Sequence, residues 1–277
     1  TFFMENLDAT VITTAIPQMA RDFAASPVAL NVGVSAYLLA VAVGIPMSGW
    51  LAERYGARTV FACAILIFTI ASILCGLSET LPMFALSRVL QGIGGAMMVP
   101  VGRMVVLRVT EKKDMVKTIA FITWPGLIAP VLGPPLGGLI VTYGHWPWIF
   151  WLNIPLGIIA LIATAYLVPQ FKAEQRRAFD VRGFLLTATA CTALIISLEA
   201  LGQMHLSLGI PLLLIGVLSS VLAYRHSFNH PQPLLPFSAM TLNTFRNAVV
   251  GGSLFRASIN AVPFLLPLLF HLGFGWS

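Results

Sequence analysis

Residues 118–171, TIAFITWPGLIAPVLGPPLGGLIVTYGHWPWIFWLNIPLGIIALIATAYLVPQF, contain no Asp, Glu, Lys or Arg. A membrane-spanning helix needs about 20 mostly apolar residues, so this run is long enough for two spans. The turn signal Tyr143-Gly144-His145 divides it into predicted spans at 118–141 and 147–168. The stretch decides the fold class, because a soluble domain rarely contains so long an uncharged segment.

Similar apolar stretches fill most of the remaining chain. They predict further spans at 1–20, 29–50, 59–77, 82–104, 183–201, 208–225 and 247–272. Open sheets leave backbone groups unsatisfied in lipid, and no ten-residue alternating barrel pattern is present, so the spans are predicted to be helices. We therefore expect an all-α polytopic membrane helix bundle with about nine transmembrane helices. Because Thr1 lies inside an apolar run, we also expect an N-terminal fragment with a truncated first helix.

The composition agrees with a membrane protein. Of the 277 residues 58% are hydrophobic and 9% charged, and the mean hydropathy is +0.89. Soluble domains carry roughly a quarter charged residues, which argues against a soluble enzyme, a disordered tail or a secreted disulfide scaffold. The His, Cys and acidic residues show no ligand spacing, so no metal site is expected.

The net charge of +6 follows a membrane topology. One set of predicted loops contains twelve basic residues, whereas the opposite set contains Arg21 alone. The positive-inside rule places the basic loops in the cytoplasm, so we expect a lipid bilayer and no nucleic acid as partner. The twelve are Arg54, Arg58, Arg108, Lys112, Lys113, Lys117, Lys172, Arg176, Arg177, Arg182, Arg225 and Arg246.

Charged residues inside the spans are the candidate functional groups. Arg88 lies roughly 10 Å deep in the fourth span and Asp8 lies at a similar depth in the first, with Glu5 three residues before it. Burial favours a protonated carboxyl and a nearby Arg favours an ionised one, so a balanced Asp8 could load and release a proton. The alternatives are a fixed ion pair for Asp8 and backbone binding for Arg88. The side faced by Glu5 stays open, and Arg256 in the last span either faces a cavity or is held structurally.

Two segments are rich in glycine, proline or charge. The fifth span has breakers four residues apart (Gly126, Pro130, Pro134, Gly138) and a second pair (Gly133, Gly137). They predict close packing and bending, either for gating or in a merely kinked structural helix.

The first inner loop contains Gly49, Glu53, Arg54, Gly56 and Arg58. We expect Gly49 to end a helix, Gly56 to permit a tight reversal and Glu53 to pair with Arg54 or Arg58, although an ordinary basic loop is an alternative.

Several segments together resemble the major facilitator superfamily, in particular its branch of fourteen-span drug:proton antiporters. Residues 7–17 resemble the branch's first-span signature, with Thr13 in place of the usual Asn. Residues 49–58 resemble the inner-loop motif, with Glu53 in place of Asp and Ala57 in place of a basic residue. Residues 130–138 match the fifth-span antiporter motif and 148–157 the start of the sixth span. The fourth-span motif linked to proton coupling matches at Arg88, Gln91, Gly92, Gly94 and Ala96.

The resemblance implies both an architecture and a function. Residues 1–168 would form a six-helix bundle, 169–226 a basic inner loop with two linking helices, and 227–277 the start of a second bundle that is otherwise missing. The protein would be a multi-pass bacterial inner-membrane antiporter that exports small amphipathic compounds with a proton gradient and no cofactor. Asp8, with Glu5, would carry the proton, and Arg88 would tune its affinity. A transporter of one physiological solute, a membrane-embedded enzyme and a non-transporting sensor are the alternatives.

Overall fold

The computed structural model describes residues 1–172 and 177–268, with side chains as far as residue 258. These residues form helices and no β-strand. Two short 310 helices cover Lys112–Asp114 and Phe237–Thr241. The α-helices are α1 (Phe2–Asp22), α2 (Asn31–Tyr55), α3 (Ala57–Gly76), α4 (Leu81–Val109), α5 (Met115–Tyr143), α6 (Pro147–Trp151), α7 (Asn153–Leu167), α8 (Val181–Gly202), α9 (Leu206–Asn229) and α10 (Asn243–Leu268).

Seven spans within the described residues are long and apolar enough to cross a bilayer. They comprise α2, α3, α4, α5 with the preceding 310 turn, α6 with α7, α8 and α9. The all-α membrane class is therefore confirmed. The other two of the nine predicted spans stay predictions: α1 is long but carries Glu5 and Asp8, and the predicted last span ends beyond residue 268. Arg176, His271 and Trp276 lie outside the described residues.

The helices pack in a few dominant pairs. α2 and α3 both pack on α4, α1 packs on α5, and α7 packs on α3. Lipid is as apolar as a leucine side chain, so such helices associate through close packing and polar contacts. Gly94 illustrates the packing, since a Cβ there would lie 2.8 Å from the backbone nitrogen of Phe68 on α3. This close approach brings the polar side chains of α3 and α4 together.

Two helix boundaries differ from the sequence predictions. α2 continues through Gly49 to Tyr55, so the prediction that Gly49 ends the helix is wrong. The reversal takes place at Gly56 alone, whose φ of +97° favours glycine, and Ala57 then begins α3. The sixth predicted span is interrupted at Leu152. Pro155 has no N–H to offer the carbonyl of Trp151, which accounts for the interruption.

α8 and α9 pack closely as a helical pair, and α8 also contacts α2. Asp180 caps α8 by accepting a 2.9 Å hydrogen bond from the backbone N–H of Gly183. The division into 1–168, 169–226 and 227–277 stays a prediction.

Candidate functional site

A buried ion pair joins α1 to α4. Nη1 of Arg88 lies 2.6 Å from Oδ2 of Asp8, and the two residues are 1% and 2% exposed. The pair unites the two charges that the sequence places at similar depth. Each residue gives the other an oppositely charged partner, which makes the burial of both charges tolerable.

Neutral hydrogen-bond donors hold the second oxygen of Asp8. Its Oδ1 accepts 2.9 Å bonds from Nε2 of Gln91 and from Nδ2 of Asn153. Both amides also reach Oγ of Ser72 on α3, at 2.9 Å and 3.3 Å. The ionised carboxylate therefore accepts three side-chain hydrogen bonds, and four helices meet around it.

The guanidinium of Arg88 has neutral partners besides Asp8. Its Nη1 donates to Oε1 of Gln91 at 2.5 Å and its Nε donates to the carbonyl of Gly33 at 3.3 Å. Its Cζ lies 4.3 Å from the ring centroid of Tyr37, a cation–π distance. The structure thus combines both sequence interpretations of Arg88, because the side chain binds an acid and a backbone carbonyl.

Glu5 faces a different space from Asp8. It lines a cleft of about 810 Å³ between α1, α2 and α4, together with Tyr37 and Arg103. Most of the other lining residues are apolar. Among the described residues, Oε2 of Glu5 and Oη of Tyr37 are buried without a hydrogen-bond partner. The spacing of three residues therefore does not bring Glu5 into the Asp8 cluster but leaves it as a polar group of the cleft.

The fourth-span glycines allow α2 and α3 to approach α4. A Cβ at Gly92 would lie 2.6 Å from the carbonyl oxygen of Tyr37, and Gly94 meets the backbone of α3 as described. Larger residues would push apart the helices that carry Tyr37 and Ser72. These glycines therefore position the helices that carry the polar cluster around Asp8.

The fifth-span residues divide differently from the predicted stripes. Gly126 lies with Gly133 and Gly137 on the buried face of α5, whereas Pro130 and Pro134 are exposed. The grouping of Gly126 with the two prolines and Gly138 is therefore wrong: seven residues are close to two full turns, which aligns Gly126 with Gly133. The buried glycines pack on α1, the helix that carries Asp8. A gating role stays a prediction.

The inner-loop charges pair differently from the prediction. Glu53 forms an ion pair with Arg177, with Oε2 and Nη2 2.7 Å apart, so the expected pairing with Arg54 or Arg58 is wrong. Arg54 instead stacks on Trp50, and Arg58 donates to the carbonyl of Ala165. The structured loop thus contacts the chain that leaves α7.

Arg256 and the acidic–histidine cluster lie apart from this site. Arg256 is exposed on α10, and its predicted cavity role stays untested. Asp180, His226 and His230 approach one another, a cluster that the sequence analysis did not predict. However, Asp180 already accepts bonds from His226, Gly183 and Leu234, which explains the cluster as a hydrogen-bonded junction.

Sequence reasoning missed several residues that the structure places at the site. Ser72, Asn153 and Tyr37 surround the ion pair, and Arg103 lines the cleft. A polar residue far inside an uncharged run was the available signal for Asn153, because such groups are costly in lipid and usually have partners.

Comparisons with known proteins agree with a transporter fold. A family model described as the Major Facilitator Superfamily matches residues 1–277. A protein of Citrobacter koseri named "Putative multidrug resistance protein MdtD" is 42% identical over 279 residues. A protein of that name from Pectobacterium atrosepticum is 41% identical over 282 residues. Both alignments cover 100% of this chain and 59% of the relative, so the chain spans about three-fifths of these curated relatives.

Solved structures share the fold at low identity. The proton:xylose symporter XylE is similar with a TM-score of 0.55 and 15% identity, over 83% of this chain and 51% of that one. The human organic anion transporter MFSD10 is similar with a TM-score of 0.50 and 15% identity, over 70% of this chain and 53% of that one.

Proposed function

Because the chain belongs to the Major Facilitator Superfamily, we propose that the full-length protein is a proton-coupled antiporter that exports small amphipathic compounds. The observation that carries the proposal is the buried Asp8–Arg88 pair beside an apolar cleft. Membership of a transporter superfamily gives no support to a membrane-embedded enzyme. Its bacterial relatives favour a plasma-membrane location.

Asp8 is the proposed proton carrier. Protonation would neutralise its carboxyl and remove most of its attraction to Arg88, which leaves the arginine in need of other partners. The carbonyl of Gly33, Oε1 of Gln91 and the Tyr37 ring are already in contact with Arg88 and can retain it. Loss of one strong contact between α1 and α4 is thus the step by which proton binding changes helix packing.

Alternating access links this step to export. The carboxyl exchanges its proton with the outside in one conformation and with the cytoplasm in the other, as the bundles rock about a site near the midplane. One elementary charge that moves through 100 mV supplies about 2.3 kcal/mol, so inward proton movement can drive a solute outward. In this scheme the exposed Pro130–Pro134 face of α5 meets the second bundle, and the Glu53 region stabilises the outward-open state.

The cleft beside Glu5 is the proposed contribution of this chain to the substrate site. Its volume of about 810 Å³ falls within the usual range for small-molecule pockets. Apolar walls suit the hydrophobic part of an amphipathic compound, while Glu5, Tyr37 and Arg103 supply a few polar contacts. The second bundle would provide the opposite wall.

The test uses the full-length protein in proteoliposomes with an imposed proton gradient and a panel of amphipathic dyes and drugs. We expect Asp8→Asn to abolish gradient-driven transport, and Arg88→Lys to reduce it because lysine cannot reproduce the planar guanidinium contacts. Asp22→Asn is the matched control, since Asp22 lies at the end of the same helix and accepts a bond from Trp146. Full transport by Asp8→Asn would refute the carrier role, and transport of a single compound would favour a dedicated carrier.

A further inference from the structure

We propose that Asn153 is a positioning residue that sets the pH at which Asp8 gives up its proton. The inference rests on the proposed carrier role of Asp8. It assigns a coupling role to the break between α6 and α7, whereas the resemblance assigns coupling to the first and fourth spans.

The geometry fixes the Asn153 carboxamide in one orientation. Asn153 is 1% exposed, and its Nδ2 lies 2.9 Å from Oδ1 of Asp8 and 3.3 Å from Oγ of Ser72. A carboxamide nitrogen carries two hydrogens, and these contacts use both. The hydroxyl of Ser72 donates to the carbonyl of Phe68, which leaves its oxygen free to accept.

Such a donor acts on the charge of Asp8. Hydrogen bonds to an ionised acceptor are roughly twice as strong as those between neutral groups. The Asn153 amide therefore stabilises the ionised carboxylate more than the protonated acid, and it favours proton release. The amide carries no charge, so it shifts the equilibrium between ionised and protonated Asp8 without burying a second ion.

Asn153 also connects Asp8 to a helix that the Arg88 pair does not reach. Gln91 makes the same two contacts, but it lies on α4 and accepts from Arg88, so it belongs to the arginine side of the cluster. Asn153 begins α7, directly after the interruption at Leu152. Movement of α7 at this break would withdraw the donor and make Asp8 bind a proton more tightly.

The packing of α7 on α3 holds the amide in place. A Cβ at Gly157, one turn beyond Asn153, would lie 2.1 Å from Oγ1 of Thr69 on α3. The two helices therefore touch closely beside Ser72, which places Asn153 within reach of both Ser72 and Asp8. A shift of α7 along α3 would therefore change the hydrogen bond between Asn153 and Asp8.

The experiment measures the pH midpoint of proton release from the full-length protein in detergent when an amphipathic dye that the parent transports is added. Asn153→Leu removes both donors at similar volume, and Asn153→Asp is isosteric but replaces the donor by an acidic acceptor. We expect Asn153→Leu to shift the midpoint upward by roughly one to two pH units, the loss expected for a hydrogen bond to a charged group. Asn153→Asp should shift the midpoint upward by more, because a second carboxylate in contact with Asp8 also repels its charge. Thr164→Val is the matched control, because Thr164 is buried on the same helix and its hydroxyl donates to the backbone carbonyl of Ala160 one turn earlier.

The variants separate this inference from the carrier proposal. If Asp8→Asn loses proton release while Asn153→Asp keeps the parent's midpoint, the role of Asn153 is overturned and the carrier role stands. If Asp8→Asn keeps the parent's profile, both proposals fail. Asn153→Asp keeps the proposal open to refutation even where Asn153→Leu proves unstable, because it preserves the shape of the side chain and a carboxyl in contact with Asp8 must move the midpoint.

Discussion

Glu53 and Arg177 form an ion pair across 124 positions of sequence, with Oε2 and Nη2 2.7 Å apart. Trp50 reinforces the contact, since its Nε1 donates to the carbonyl of Arg177 at 3.1 Å and its ring packs 4.7 Å from that of Phe179. The segment that leads into α8 is thus attached to the C-terminal end of α2. Because α8 itself also contacts α2, the segment from Arg177 through α8 is attached to α2 at two places.

This ion pair is expected to contribute modestly to stability. Its side chains are 46% and 26% exposed, so solvent weakens the attraction, and pairs of this kind are worth about 0–1 kcal/mol. A double-mutant cycle with Glu53→Gln and Arg177→Gln, read by thermal unfolding of the full-length protein, should give a coupling energy in that range. Arg54→Gln combined with Glu53→Gln is the control and should show little coupling, because Arg54 stacks on Trp50. A larger coupling for Arg54 would contradict the observed pairing.

Breaking the buried Asp8–Arg88 ion pair is expected to destabilise the protein much more than breaking the exposed Glu53–Arg177 pair. Removal of one partner of a buried ion pair costs about 3–5 kcal/mol, since the other charge is left uncompensated. We therefore expect Asp8→Asn to lower the unfolding temperature clearly. Asp8→Asn combined with Arg88→Met should recover part of the loss without restoring transport. A double variant less stable than Asp8→Asn alone would contradict the explanation that the uncompensated charge of Arg88 causes the loss of stability.

Asp180 gives a pH-dependent prediction outside the spans. Burial raises the pKa of Asp180, but hydrogen bonds from Gly183, His226 and Leu234, with the attraction of His226, lower the pKa below its ordinary value of 3.8 overall. A lowered pKa in the folded state means that the ionised form stabilises the fold above that ordinary value, and that the contribution is lost as the pH falls through the folded-state pKa. Acidification should therefore remove this contribution.

Asp180→Asn tests the prediction, because asparagine keeps the helix cap and removes the charge. The parent should unfold at a higher temperature than the variant at pH 7, and the difference should shrink as the pH is lowered below about 4. Thermal unfolding of both full-length proteins from pH 7 down to well below pH 4 provides the measurement. A difference that grows on acidification would show that the carboxylate is not stabilised in the folded state.

Counting residues along helices predicted much of this structure. The uncharged runs predicted the apolar helices, and the distances from the helix ends predicted the similar depths of Asp8 and Arg88. These features depend on local sequence and on bilayer thickness. A single amino-acid sequence is therefore enough to predict these features.

Pairings between distant segments could not be predicted in this way. Asn153 donates to Asp8, 145 positions away in sequence. Glu53 pairs with Arg177 and not with the nearby Arg54 or Arg58. Trp146 is 3% exposed and its Nε1 donates to Oδ2 of Asp22 at 2.7 Å, 124 positions away. In each case the partner is chosen by how the helices pack, and no local pattern specifies that choice.

The contact between α1 and α5 provides a final prediction from two adjacent glycines. A Cβ at Gly137 would lie 2.1 Å from Oγ1 of Thr14 and 3.0 Å from the carbonyl oxygen of Val11, whereas a Cβ at Gly138 would have no neighbour within 4 Å. The Thr14 side chain can rotate away, but the Val11 carbonyl moves only if α1 moves. Gly137→Ala should therefore separate the helices and destabilise the full-length protein by about 1–3 kcal/mol, a typical cost of overpacking.

Gly138→Ala is the matched control, because it makes the same chemical change one position along the helix. It should leave stability unchanged or raise it slightly, since alanine favours helices by about 0.5–1 kcal/mol over glycine. Thermal unfolding of the two variants side by side decides between them. Equal unfolding temperatures would mean that α1 and α5 can accommodate an extra methyl group at Gly137. The close packing of the buried glycine face of α5 on the helix that carries Asp8 would then not be rigid.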